Sequence, residues 1–88
     1  MGDYAYMLLC SDGTYYSGWT NDPEKRENAH NSGRGARYTR VRRPVRMVYI
    51  EECADRSSAM KREAQLKKLS HGEKKKLAEE YMENHDGQ

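Results

Sequence analysis

Arg26 and His30 stand four residues apart in a segment that opens with Asp22-Pro23, a spacing that puts them on one side of a helix. A guanidinium there can grip an anion through two parallel hydrogen bonds, and an imidazole can move a proton near neutral pH. The same spacing also suits a plain exposed helix face, so both readings stand. Glu63 carries a sharper signal. Ala59, Glu63 and Leu66 follow i, i+4, i+7 spacing, which sets a carboxylate into a stripe otherwise fit for burial. A buried acid must be protonated, paired with a base or bound to a cation. Salt bridge and metal ligand are equally open at this point.

The remaining reactive groups are phenols. Seven Tyr, one Trp and no Phe supply the aromatic bulk, and a tyrosine hydroxyl wants a partner when buried. Tyr4–Cys10 and Thr14–Trp19 are rich in strand formers, with Ser11-Asp12-Gly13 as a hairpin turn between them. A two-residue Asp12-Gly13 turn would pair Cys10 with Tyr15 and put Tyr6 and Tyr16 on opposite faces. A three-residue loop with Gly13 left-handed pairs Cys10 with Thr14 instead. That register gathers Ala5, Met7, Leu9, Tyr15 and Trp19 on one face, and Tyr6, Leu8, Tyr16 and Gly18 on the other. Hydrophobic patterning favours it. Gly18 then lies opposite Tyr6 and leaves space above the sheet, while the two phenols become diagonal neighbours about 7 Å apart.

The punctuation of the chain supplies the scaffold. Asp22 is placed to cap a helix with Pro23 at its first position, running to about Asn31 and stopping before Gly33. A Gly- and Arg-rich loop follows to Pro44, and Val45–Glu51 reads as a third strand. Ser57 or Ser58 is expected to cap a second helix through Leu69. Ser70-His71-Gly72-Glu73 has the form of a capping box, opening a third helix that reaches roughly Met82. The order ββαβαα predicts an α+β fold with a small, three-stranded, mainly antiparallel sheet flanked by helices. One domain is expected over residues 1–83, with a flexible tail at 84–88.

Of the 88 residues, 35% are apolar and 34% charged, and the mean hydropathy is −1.22, so one thin core can be filled and not a second. No apolar run nears the roughly 20 residues that span a bilayer, and Asp3 interrupts the N-terminus, so a cytoplasmic protein without membrane contact is expected. Cys10 and Cys53 lack CxxC or CxxH spacing and read as reduced thiols rather than zinc ligands. The net charge is only +2, but its distribution is uneven. Arg34, Arg37, Arg40, Arg42, Arg43 and Arg46 fall in one acid-free stretch, on a chain otherwise richer in acids than bases. A solvated charge run is one reading. Interleaving with Gly33, Gly35, Tyr38 and Pro44 favours the other, contact with a polyanion backbone.

Together the pattern Tyr4-Ala5-Tyr6, Tyr16-Ser17-Gly18, Arg26, His30 and Glu63 resembles the GIY-YIG nuclease superfamily, most closely its small stand-alone bacterial members. The resemblance runs from about Asp3 to Leu77 and rests on several spaced motifs in order. Tyr4 and Ala5 replace the Gly and Ile of the family's name motif, Trp19 follows the second motif, and the late asparagine of some members has no sure counterpart. By position, the resemblance implies catalytic roles for Tyr6, Tyr16, Arg26, His30 and Glu63, with Gly18 as the glycine closing the second motif. It makes Glu63 the ligand of Mg2+ (or Mn2+), and Arg26 the clamp on phosphate oxygens. Tyr6 is the expected base with Tyr16 orienting the water; His30 is an alternative proton relay. Arg34, Arg37, Arg40, Arg42 and Arg43 would track the nucleic-acid backbone, with Tyr38 free to stack on a base. The activity implied is divalent-metal-dependent endonucleolytic hydrolysis, of DNA sooner than RNA, in repair or recombination. Specificity would be weak, shape-based or lent by a protein partner. Two other readings keep the same residues: a non-catalytic nucleic-acid-binding module, and an accessory protein whose basic loop docks on an acidic partner.

Overall fold

The computed structural model describes residues 2–86. Three strands, β1 (Asp3–Leu9), β2 (Tyr15–Thr20) and β3 (Arg46–Cys53), form an antiparallel sheet in the order β2-β1-β3. The register is the three-residue-loop one: Cys10 N–H donates to the Thr14 carbonyl at 2.8 Å, Gly13 sits at φ +87°, and Tyr6 faces Gly18. Asp12 accepts from both the amide and the hydroxyl of Thr14, which closes the turn. Along β3 a bulge between the Met7–Tyr49 and Leu8–Met47 pairs admits one extra residue.

Helices cover both faces. Helix α3 (Arg56–Lys67) and helix α4 (His71–Asp86) bury Leu66 and Ala78 against Ala5, Met7 and Val48. Helix α1 (Pro23–Asn31) and the short α2 (Arg37–Arg40) lie over the other face, beside the cluster of Tyr6, Leu8, Cys10 and Val45. Asp22 caps α1 by accepting from Lys25 N–H, with Pro23 at the first position. Its far end is a Schellman motif: Arg34 N–H reaches the Ala29 carbonyl, Gly33 N–H reaches that of His30, and Gly33 takes φ +85°. Two side chains of α1 clamp it to the sheet. Glu27 accepts from Met47 N–H at 2.8 Å, and the Asn31 amide exchanges two hydrogen bonds with the backbone of Val45.

The predicted capping box forms, with Ser70 and Glu73 exchanging side-chain-to-amide bonds at 2.8 and 3.1 Å. Several expectations need correcting. The expected loop from Gly33 to Pro44 contains the one-turn helix α2, and β3 runs two residues beyond Glu51 to Cys53. The cap of α3 is Asp55, not Ser57 or Ser58; its carboxylate accepts from Ser58 N–H at 2.8 Å, a stronger acceptor than a hydroxyl. Helix α4 continues to Asp86, so the expected tail at 84–88 is helical over its first three positions, and positions 87 and 88 lie outside the described residues. Among the described residues no helix is long and apolar enough to cross a membrane, and Cys10 and Cys53 are free thiols.

Candidate active site

On the α1 side of the sheet, the missing side chain of Gly18 lets the Tyr6 ring lie against β2. A Cβ built at Gly18 would stand 2.5 Å from the Tyr6 hydroxyl. Tyr6 is 2% exposed, so its hydroxyl must find a partner within the protein, and it does: Oη lies 3.1 Å from His30 Nε2. On its other side the imidazole meets Thr39 Oγ1 at 2.7 Å, and that hydroxyl donates to the Ala36 carbonyl at 3.0 Å. His30 and Thr39 are as buried as Tyr6. Gly35 is packed flush on the imidazole: a Cβ there would overlap the ring and stand 2.8 Å from the His30 Cα. The Tyr16 ring lies 5.3 Å from that of His30 and 6.1 Å from Tyr38, which it stacks on.

The charged candidates approach from two helices. Burial pushes the Tyr6 phenol far above its ordinary range; Tyr16 adds to that, Arg26 opposes it, and Glu63 adds to it again. Burial and then Arg26 hold His30 below the usual imidazole value of 6.5, so it is neutral at pH 7. Arg26 is exposed and lines a shallow depression with Thr20, Asn21, Asp22, Lys25 and Ala29. Glu63 is 20% exposed and pairs through Oε2 with Lys67, one helical turn on, at 3.0 Å. The lysine is 56% exposed, and an i,i+4 pair of this kind is worth about 0.3–0.5 kcal/mol, so it does not lock the acid against a competing cation.

The donor set restricts the ion that could bind. Among the described residues no three His, Cys, Asp or Glu side chains are grouped to hold a metal. Ions that need a protein cage of four or more ligands do not fit. Mg2+ does, because it keeps several waters and takes one or two carboxylates with substrate phosphate completing its shell.

The basic segment divides in two. Arg34, Arg37 and Arg40 are exposed, and none is in an ion pair among the described residues. Arg42 and Arg43 are used internally, against expectation. Arg42 donates to Asp12 and to the Tyr38 carbonyl, and its guanidinium lies 3.8 Å over the Tyr38 ring. Arg43 donates to the carbonyls of Arg40 and Asn31, closing the ends of α2 and α1. Tyr38 is not free for a base either: Arg42 covers one face, Tyr16 stacks beside it, and its hydroxyl donates to Thr14 at 2.8 Å. Thr39 went unnoticed in the sequence, and Gly35 was read only as a small residue beside the arginines, not as the residue packed on His30. A hydroxyl nine residues beyond His30 in an expected loop gives no periodic signal, although the glycine between them hints at a close approach.

A small antiparallel sheet whose two hairpin phenols pack on a histidine of the following helix, over a glycine in the second strand, is the arrangement expected of a GIY-YIG domain. The GIY-YIG catalytic-domain family model matches residues 3–77, and the chain belongs to that family. It is similar to small proteins of matching length. The UPF0213 protein of Syntrophus aciditrophicus is 50% identical over 82 residues, 92% of this chain and 94% of that one. The UPF0213 protein of Enterococcus faecalis is 52% identical over 73 residues, 81% of this chain and 83% of that one. Among solved structures, the solution structure of the UPF0213 protein from Bacillus halodurans has a TM-score of 0.55 at 40% identity, covering 90% of this chain and 84% of that one. A second solution structure, from E. faecalis, has a TM-score of 0.58 at 42% identity, covering 93% and 88%.

Proposed function

We propose that this chain is a divalent-metal-dependent endonuclease that hydrolyses phosphodiester bonds of DNA. The observation that carries the reading is the buried Tyr6–His30 hydrogen bond formed over Gly18, with the Tyr16 ring packed on the same imidazole, in a chain of the GIY-YIG catalytic-domain family. Glu63 is the residue that would hold Mg2+ or Mn2+, which supplies neutralisation of the phosphate's charge and a more acidic water. Arg26, exposed beside Lys25, grips the scissile phosphate.

A phenol held so far above its ordinary range is a poor phenolate base, so Tyr6 works as a relay instead. Its oxygen takes a proton from the attacking water while its own proton passes to the neutral His30 Nε2. The water oxygen bonds to phosphorus as the P–O bond on the opposite side breaks, and the leaving oxygen takes a proton from solvent. Tyr16, diagonal to Tyr6, orients the water. Arg34, Arg37 and Arg40 supply backbone contacts that are salt-dependent and blind to sequence, so target choice rests on shape or on a protein partner. A repair or recombination setting suits such a substrate.

The test is a panel of flap, bubble, junction, single-strand and RNA substrates, incubated with Mg2+, with Mn2+ and with chelator. Metal-dependent cleavage of a DNA member is expected. Binding without cleavage of any member under every metal condition would replace this reading with a non-catalytic module.

A further inference from the structure

Thr39 belongs to no motif and touches neither substrate nor metal in the scheme above, yet it is fully buried against the imidazole on which the relay ends. Resting on the hydrolytic reading, we infer that Thr39 is a positioning residue that fixes His30 as the Nδ1-protonated tautomer, so that the Nε2 lone pair faces the Tyr6 hydroxyl.

The assignment follows from proton bookkeeping. Thr39 has one hydroxyl proton and two neighbours, the Ala36 carbonyl at 3.0 Å and His30 Nδ1 at 2.7 Å. A carbonyl can only accept. If the threonine proton goes there, Nδ1–H donates to Oγ1 and Tyr6 O–H donates to Nε2. Every proton on these three buried side chains is then used. In the opposite arrangement Thr39 donates to Nδ1 and Nε2–H donates to Tyr6, which leaves the phenol's proton without a protein acceptor on a residue 2% exposed. A buried donor with no protein acceptor is disfavoured. The opposite arrangement keeps Ala36 N–H donating to Nδ1 at 3.4 Å, the longest contact in the cluster, which the assigned tautomer gives up. Gly35 seals the ring from above, so it cannot tilt to another acceptor. The order of hydroxyl, imidazole and hydroxyl thus points one way, from Tyr6 towards Ala36.

The experiment compares wild type with Thr39→Val, which has nearly the same shape without the oxygen, and with Thr39→Ser, which restores it. Long-range proton–nitrogen correlation spectra of the metal-free protein read the His30 tautomer without any need for activity. Wild type and Thr39→Ser should show Nδ1–H alone, and Thr39→Val should populate Nε2–H. In single-turnover cleavage, Thr39→Val should lose roughly 10- to 100-fold in kcat with KM unchanged, and Thr39→Ser should recover most of it. An Nε2–H tautomer in wild type would overturn the inference, as would full activity in a folded Thr39→Val. A wild-type chain that cleaves nothing would instead bring down the hydrolytic reading itself.

Discussion

Gly18→Ala sets two opposing effects against each other. In a strand interior, Ala is ordinarily favoured over Gly by about 0.5–1 kcal/mol, because glycine loses more backbone freedom on folding. Here the added Cβ would fall 2.5 Å from the Tyr6 hydroxyl, 2.6 Å from Cζ and 3.0 Å from Cε2. Carbon atoms pack at about 3.5–4.0 Å, so the ring must recede by roughly 1 Å. Overpacking of this kind costs roughly 1–3 kcal/mol, which outweighs the gain in backbone preference. The clash is predicted to win by roughly 1 kcal/mol, lowering Tm by about 4–8 °C in a domain of this size. The same 1 Å would pull the hydroxyl out of its 3.1 Å bond to His30, and a misplacement of that size can cost about 100-fold in rate. Thermal unfolding followed by circular dichroism, and cleavage under single-turnover conditions, read the two effects separately. An alanine variant more stable than wild type and equally active would refute the role given to this glycine.

Further perturbations separate other parts of the site. Ser17 Oγ, on the opposite face from Tyr6, is buried without a hydrogen-bond partner among the described residues, so Ser17→Ala should raise stability by about 1 kcal/mol in a denaturant melt. Arg37→Ala and Arg40→Ala should each weaken DNA binding and flatten its salt dependence, measured by fluorescence anisotropy over a salt series. Arg42→Ala should instead lower Tm by loosening Tyr38 from Asp12 and the hairpin, with less change in the salt slope. His30 resists protonation in the fold but not in the unfolded chain, so it contributes stability above its ordinary value of 6.5 that is lost as pH falls further. Wild-type Tm should therefore drop between pH 7 and pH 5, and His30→Gln should remove part of that slope.

What the sequence disclosed depended on the range of the interaction. The Asp22-Pro23 start, the Ser70–Glu73 box and the Gly33 stop are made within a few residues, and each formed as expected. The hairpin register was equally readable, because a slip of one residue would have turned the apolar set of β1 away from α3 and α4. The arginine segment was not. Asp12 and Arg42 lie thirty residues apart, Thr14 and Tyr38 twenty-four, and Asn31 and Arg43 twelve, and no local pattern separates a guanidinium stacked on tyrosine from one facing solvent. Helix α2 is a single turn, too short to show a periodicity. The charge of Glu63 and its place in an apolar stripe were visible, but not that its partner would be Lys67.

Glu63→Gln is the most direct probe of the proposal that one helix acid holds the ion used for hydrolysis, because it keeps the side chain's size and removes its charge. Cleavage and equilibrium binding of the same DNA substrate would be measured side by side in Mg2+, with Tm confirming the fold. Loss of cleavage by about a thousandfold or more with binding held within a few-fold is the predicted result, the rate loss being the scale on which metal and electrostatic stabilisation act. Undiminished cleavage by the glutamine variant would contradict it.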